Sequence, residues 1–326
     1  MMQTRTNHLL PQVAALYPFD VGTIRLISSG IYSPNDIYSF IKNRKEYILR
    51  IATHDKNNLY KTTGEMEWLA FLHGRGIPVS MPLPMNNGRL VESLITDSKY
   101  HAVCAFEKAE GEHCEKDDPN TWNRYVIEDW GYVIGSMHRE TKDFRLSDSR
   151  FMRGVFDGGD IDGTDVLEKA FAQIPAIEKF ANSLISQLLT LPRTKETWGL
   201  IHNDLHQNNF FVKDNKVYAF DFDDSIYGYF ALDIGIALHH ALHNADDKAD
   251  AERIISQFMR GYKRANQLNE QTLKSILPFI KYRQLCNFAW SYPDNVNEDE
   301  QENILNGLVM RDCLITDDIF MIGEEN

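Results

Sequence analysis

The stretch from Gly199 to Asp224 restricts what this chain can fold into more than any other. Leu200 and Ile201 read as the end of a short apolar strand, Phe210 to Val212 and Val217 to Phe220 read as two further strands, and Asp214-Asn215 between them is a turn signal. A polar loop, His202 to Asn209, therefore separates a strand from a hairpin, and a second polar cluster, Asp221 to Asp224, follows the hairpin directly. Two acidic loops are thus expected at one end of a small sheet. Asx turns alone account for many hairpin connections, and His202, Asp204 and His206 are residue types that ligate metals, the basis of a hydrolase reading. Neither explains the ordered combination of strand, loop with Asp204 and Asn209 five positions apart, hairpin, and then Asp221.

Phosphoryl transfer from ATP needs that combination: a carboxylate to orient the attacking hydroxyl and take its proton, and an amide plus a second carboxylate to hold Mg²⁺ on the phosphates. Asp204 fits the base, and Asn209 and Asp221 fit the metal ligands. The pattern H-x-D-x-x-x-x-N followed by Asp221-Phe222-Asp223 resembles the aminoglycoside phosphotransferase and choline kinase family, a branch of the protein-kinase-like fold. The family's loop usually reads His-Gly-Asp-Leu-His-x-x-Asn. Asn203 stands here in place of the glycine, while the chemical residues are intact.

The resemblance extends from about residue 20 to about residue 290 and implies a bilobal α+β fold, an antiparallel β-sheet lobe over residues 1–106 and a mostly helical lobe over 107–326. Val21 to Ile27, a small-residue turn containing Gly30, and Ile37 to Ile41 read as a hairpin. In the family this hairpin lies over the ATP phosphates. The G-x-G-x-x-G of protein kinases is absent, so only Gly30 marks the position. The strand Tyr47 to Ile51 carries Arg50 where the family places a phosphate-binding lysine; arginine keeps the charge and changes the geometry. A helix from about Lys61 to His73 follows and ends at Gly74 and Gly76. Glu65 and Glu67 are both candidates to pair with Arg50 but lie on different faces of that helix, and the register of the apolar stripe selects Glu65.

Arg89 to Leu94 and His101 to Phe106 complete a five-stranded antiparallel sheet, and Phe106 to Gly111 matches the family's inter-lobe hinge. There the backbone groups of Glu107 and Ala109 are implied to bind the adenine edge. Thr121 to His138 has helical period, residues 143–165 read as irregular, and Asp165 to Leu191 as one or two helices. After Asp224 a loop is expected to lead into an apolar helix opened by Asp233, which in the family hydrogen-bonds the catalytic-loop backbone and otherwise reads as an N-cap. Residues 249–264, 270–290 and 299–313 read as further helices.

With 326 residues, 43% hydrophobic and 25% charged, the chain has room for two lobes, and no apolar run approaches the roughly 20 residues of a spanning helix. The N-terminus lacks a secretory pattern, which predicts a cytoplasmic protein that does not engage a membrane. Four cysteines without C-x-x-C spacing predict reduced thiols. A net charge of −13 without a basic stripe argues against nucleic acid as a partner. Assembly as a homodimer stays open. The expected function is an ATP- and Mg²⁺-dependent phosphotransferase moving the γ-phosphate to a hydroxyl of a small molecule such as an antibiotic, choline or homoserine. Two other functions fit the same fold: a protein serine/threonine kinase of the bacterial stress-response type, and a non-catalytic nucleotide-binding module. The sequence does not specify the acceptor.

Overall fold

The computed structural model describes residues 6–29, 35–54, 56–96, 99–159, 175–291 and 320. Its contacts divide into two compact units. One comprises Met1–Glu110, Phe144–Arg153 and Tyr218–Asp223, the other Gly111–Asp143, Gly154–Val217 and Asp224–Asn326.

The first unit is built on a five-stranded sheet in the order β1-β2-β3-β5-β4, with strands β1 (Arg25–Ser29), β2 (Asn35–Lys42), β3 (Lys45–His54), β4 (Glu92–Thr96) and β5 (Lys99–Glu107). Every neighbouring pair is antiparallel, as expected. The turn from β2 to β3 uses Asn43 and Arg44, both at positive φ (52° and 66°), the backbone of a two-residue hairpin turn whose twist matches the strands. Alternation along the strands sends Tyr38, Phe40, Leu49, Ile51, Val103 and Ala105 into one core with Leu9, Val13 and Tyr17 from the N-terminal segment that includes α1 (Leu10–Leu16).

Helix α2 (Lys56–Gly74) buries Met66, Trp68, Leu69 and Leu72, and Gly76 closes it with φ 78°. Its start lies five residues before the expected Lys61, because the polar opening Lys56-Asn57-Asn58 has no apolar period to read. Gly30 lies outside the described residues.

The second unit is mainly helical: α3 (Arg124–Thr141), α4 (Pro175–Leu189), α5 (Phe230–Leu242), α6 (Lys248–Ala265) and α7 (Glu270–Ser291). Asn123 caps α3 by accepting from the amides of Tyr125 and Val126. Helices α3 and α6 approach at glycines: a Cβ on Gly261 would lie 1.7 Å from the Glu128 carbonyl oxygen, and one on Gly131 would lie 2.0 Å from that of Phe258. The strands β8 (Trp198–Ile201), β9 (Phe210–Lys213) and β10 (Lys216–Ala219) fall where expected, and the β9–β10 hairpin turns through Asp214 and Asn215, both at positive φ. The buried Asp129 of α3 fixes this hairpin by accepting from the Val217 amide at 2.9 Å and from Lys216 Nζ at 2.6 Å.

Two short strands, β6 (Glu112–His113) and β7 (Gly154–Val155), add edges to the small sheets, β6 to β9 and β7 to β11 (Ile226–Tyr229). The segment expected as a loop after Asp224 thus contains β11, which pairs antiparallel with β8. The expected helix at 299–313 and the first part of the one at 165–191 lie outside the described residues. Cys104, Cys114 and Cys286 are buried. No helix among the described residues is long and apolar enough to cross a membrane.

Candidate active site

Strand β8 delivers the chain into the loop 202–209, and a buried carboxylate holds the loop's backbone. Asp233, in the first turn of α5, accepts the amide of Asn203 on Oδ1 at 2.8 Å and the amide of His202 on Oδ2 at 3.2 Å. His138 of α3 donates to the same Oδ2 from Nε2 at 2.9 Å, and its Nδ1 lies 2.8 Å from the Tyr262 hydroxyl, which accepts from Asn266 Nδ2 at 3.0 Å. A carboxylate only accepts, so His138 carries a proton on Nε2 and Nδ1 receives the tyrosine hydrogen: a neutral ring meets every partner. Burial pushes the His138 pKa below the ordinary value against the pull of Asp233. Burial opposes the charge on Asp233 too, but the bond from His138 outweighs it and leaves that carboxyl below its ordinary range.

Asn203 sits at φ 68°, in the left-handed region, and its side-chain amide donates to the Asp224 carbonyl at 3.2 Å. Its place in the motif is that of the family's glycine, and asparagine is among the few side chains that tolerate this conformation.

Asp204 follows, with its side chain 16% exposed. Asn209 Nδ2 donates to Asp204 Oδ2 at 3.0 Å and to the Asp204 carbonyl at 2.9 Å. His206 Nε2 lies 3.4 Å from the same Oδ2, and Arg283 of α7 donates from Nη2 to Oδ1 at 2.5 Å. Burial raises the Asp204 pKa, but the hydrogen bond from His206 and the charge of Arg283 outweigh it and hold the carboxyl at about 2. His206 stacks on His240 of α5 at 4.5 Å between centroids. Burial, with His206 and the charge of Arg283 close by, lowers His240 to about 3, a neutral ring. Because Asn209 turns its NH₂ toward Asp204, its carbonyl oxygen faces away from that carboxylate, as a hard oxygen donor of the type Mg²⁺ prefers.

In the first unit Arg50 Nη2 donates to Glu65 Oε2 at 2.6 Å, with side chains 5% and 1% exposed. The Phe106 ring lies 5.3 Å from the guanidinium carbon. Glu67 points elsewhere and accepts from the amide and hydroxyl of Ser147, so of the two candidates Glu65 is the partner of Arg50. Asp221 adopts φ 67°, and the adjacent Phe222 packs edge-on against Trp68 of α2 at 5.4 Å. Asp223 accepts from Asn35 Nδ2 at 2.5 Å, and its backbone carbonyl accepts from Arg153. Glu107 ends β5; its carboxylate pairs with Lys45 at 2.7 Å, and its amide donates to the Met81 carbonyl at 2.8 Å. Ala109 is half-buried in the segment just after β5.

The structure therefore brings Asp204 and Asn209 together in one unit and Arg50, Glu65, Asp221 and Glu107 into the other. Sequence reasoning missed Arg283 and His240. Arg283 is 79 positions from Asp204 and belongs to no motif, and with Lys281 two residues before it in the same stretch no local pattern singles it out. Among the described residues no three His, Cys, Asp or Glu side chains form a metal-binding group, and His202 Nδ1 accepts from the Asp204 amide at 3.3 Å, so a metal centre on His202, Asp204 and His206 has no geometry behind it.

A profile of the phosphotransferase enzyme family matches residues 23–268. The chain belongs to that family. The amicoumacin kinase of Bacillus subtilis (strain 168) is 32% identical to this phosphotransferase over 308 residues, covering 91% of this chain and 89% of its own. Among solved structures, the amicoumacin kinase hAmiN in complex with AMP-PNP, Ca²⁺ and Ami superposes with a TM-score of 0.77 at 24% identity, covering 97% of this chain and 93% of the other. A microcompartment-associated aminopropanol kinase superposes at 0.67 with 19% identity, covering 93% and 94%. The fold is the kinase-like one, an antiparallel-sheet N-terminal region and a helical C-terminal region. The enzyme is a phosphotransferase.

Proposed function

We propose that this phosphotransferase moves the γ-phosphoryl of ATP, as its Mg²⁺ complex, to a hydroxyl of amicoumacin or a molecule like it. The observation that carries the reading is the geometry around Asp204: a carboxylate kept ionised, held by the amide of Asn209 and presented on a loop whose backbone is anchored by Asp233. Asp204 receives the acceptor's hydroxyl hydrogen on a free lone pair and takes the proton as the oxygen attacks phosphorus. Arg50, kept in register by Glu65, meets the α- and β-phosphates, and the Glu107 carbonyl and Ala109 backbone meet the adenine edge. Asn209 and Asp221 supply oxygens of the kind that suit Mg²⁺, and the ion, when bound, neutralises charge on the phosphates. Amicoumacin is the first acceptor to test, because kinases of that name cover 91% of this chain by sequence and 97% by fold.

The test is Asp204→Asn, assayed for ATP binding, melting temperature and turnover of amicoumacin with aminopropanol as the comparison acceptor. ATP affinity and stability should hold, while kcat falls about 10²- to 10⁴-fold, the usual worth of general-base assistance. Wild-type turnover by the variant sinks the assignment. In parallel, Asn209→Ala and Asp221→Ala should weaken the difference between ATP affinity with Mg²⁺ and with chelator; equal affinities in the wild-type protein would remove the metal.

A further inference from the structure

The carboxylate of Asp204 is gripped at both oxygens by groups from opposite directions. On Oδ2 the partners are local, Asn209 at 3.0 Å and His206 at 3.4 Å. On Oδ1 the partner is Arg283, from a helix that shares no motif with the loop. The torsion that turns a carboxylate about its Cβ–Cγ bond is soft, so anchors on one oxygen alone leave its plane to rotate. The second anchor stops that rotation.

Arg283 is itself built into place. It is 6% exposed, its guanidinium carbon lies 4.7 Å from the centroid of the Trp290 ring, and the same Nη2 that reaches Asp204 lies 3.3 Å from His240 Nε2. The neutral His240 offers a lone pair to that nitrogen and stacks on His206, which returns to Asp204. The circuit Asp204, Arg283, His240, His206 is thus closed through the loop, α5 and α7. Helix α5 serves the loop twice: Asp233 in its first turn holds the backbone, and His240 in its last turn braces the groups that hold the side chain.

We propose that Arg283 is a positioning residue for Asp204, fixing the plane of its carboxylate so that a lone pair is aimed at the acceptor hydroxyl; this rests on Asp204 being the base of the proposed reaction. A base turned out of line still binds substrate poorly or well as before, but it no longer meets the hydroxyl in the attacking geometry. The loss therefore belongs in kcat. Lysine, a point charge without the planar fork, cannot reach Asp204, His240 and the Trp290 face together and replaces arginine only in part.

The experiment is a double-mutant cycle between Arg283 and Asp204, with kcat, KM for ATP, KM for the acceptor and melting temperature measured on each preparation. Arg283→Met keeps the packing under Trp290 and removes the charge and fork; Arg283→Lys keeps the charge. Arg283→Met should lower kcat on the order of 10²-fold, the cost of small misplacements at a reacting centre, with KM for ATP near the wild-type value and Arg283→Lys in between. In the Asp204→Asn background, Arg283→Met should lower kcat no further. Wild-type kcat in folded Arg283→Met, a parallel loss of ATP affinity, or an equal loss with and without Asp204 overturns the proposal. Should Arg283→Met not fold, the same criteria apply to Arg283→Lys. The two readings separate cleanly: wild-type turnover in Asp204→Asn removes the base, whereas an inactive Asp204→Asn beside fully active Arg283 variants removes only the role of Arg283.

Discussion

Replacing Asp233 by asparagine is predicted to loosen the catalytic loop while keeping the side chain's shape. In the native site three donors meet this carboxylate: the Asn203 amide on Oδ1 at 2.8 Å, and the His202 amide and His138 Nε2 on Oδ2 at 3.2 and 2.9 Å. Asparagine has one oxygen. If that oxygen takes the Oδ2 place, it keeps two donors, and its NH₂ confronts the Asn203 amide. One buried donor left without a partner costs about 1–3 kcal/mol. The bonds that remain lose their charge assistance, which roughly halves their strength and adds about 1 kcal/mol. The opposite rotamer orphans two donors and is worse. The expected cost is thus about 2–4 kcal/mol, concentrated on the loop. Since about 1.4 kcal/mol is a factor of ten, the amides of His202 and Asn203 should exchange with solvent about 30-fold to 10³-fold faster. Hydrogen exchange measured on peptides spanning the loop reads this directly, and turnover on the same preparation should fall with ATP affinity little changed. Asp233→Ala, which orphans all three donors, should exceed it in the same direction. Loop amides that exchange at the wild-type rate in both variants would show that the carboxylate does not hold the loop.

Two further outcomes are expected. Asn203→Gly should cost only the bond to the Asp224 carbonyl, about 0.5–1.5 kcal/mol, because glycine adopts φ 68° freely, whereas Asn203→Ala loses the same bond and should cost about 1–2 kcal/mol more for an ordinary side chain held in that region; equal stability of the two would refute the conformational argument. Arg50→Ala should raise KM for ATP more than KM for the acceptor, with Arg50→Lys retaining much activity, and Glu65→Ala, which strands a buried cation, should cost about 3–5 kcal/mol in denaturant melts; if Glu67→Ala matches it instead, the pairing is wrong.

Much of this was legible because it depends on near neighbours in sequence. Asp214-Asn215 marks a hairpin through turn chemistry, and Glu65 rather than Glu67 follows from helical period, since residues two apart face away from each other. The loop expected between Asp224 and the following helix failed for the opposite reason. Ile226 to Tyr229 is four residues with a central glycine, and its strand character comes from pairing with β8 some 25 positions back, a contact that no local pattern announces. Arg283 and His240 escaped in the same way: each lies on a helix whose period is fully explained by packing, so their meeting at Asp204 is a property of the tertiary fold alone.

Asp233 shows how a correct location can hide two different causes. As an N-cap it would serve its own helix, yet α5 begins at Phe230 with Tyr229 in the capping position and no side-chain cap, and the carboxylate three residues further on serves the loop instead. That arrangement explains the departure at Asn203. For one carboxylate to accept two successive amides, those of His202 and Asn203, the chain must curl around it, and the positive φ at Asn203 provides the curl. No room argument is needed for the glycine usual in the family, because what the position demands is a backbone angle. Asparagine meets it and adds a bond to the Asp224 carbonyl, tying the loop to the segment that follows the hairpin. A β-branched residue would meet neither demand, so the motif's second position tolerates change only among the residues that enter the left-handed region at small cost.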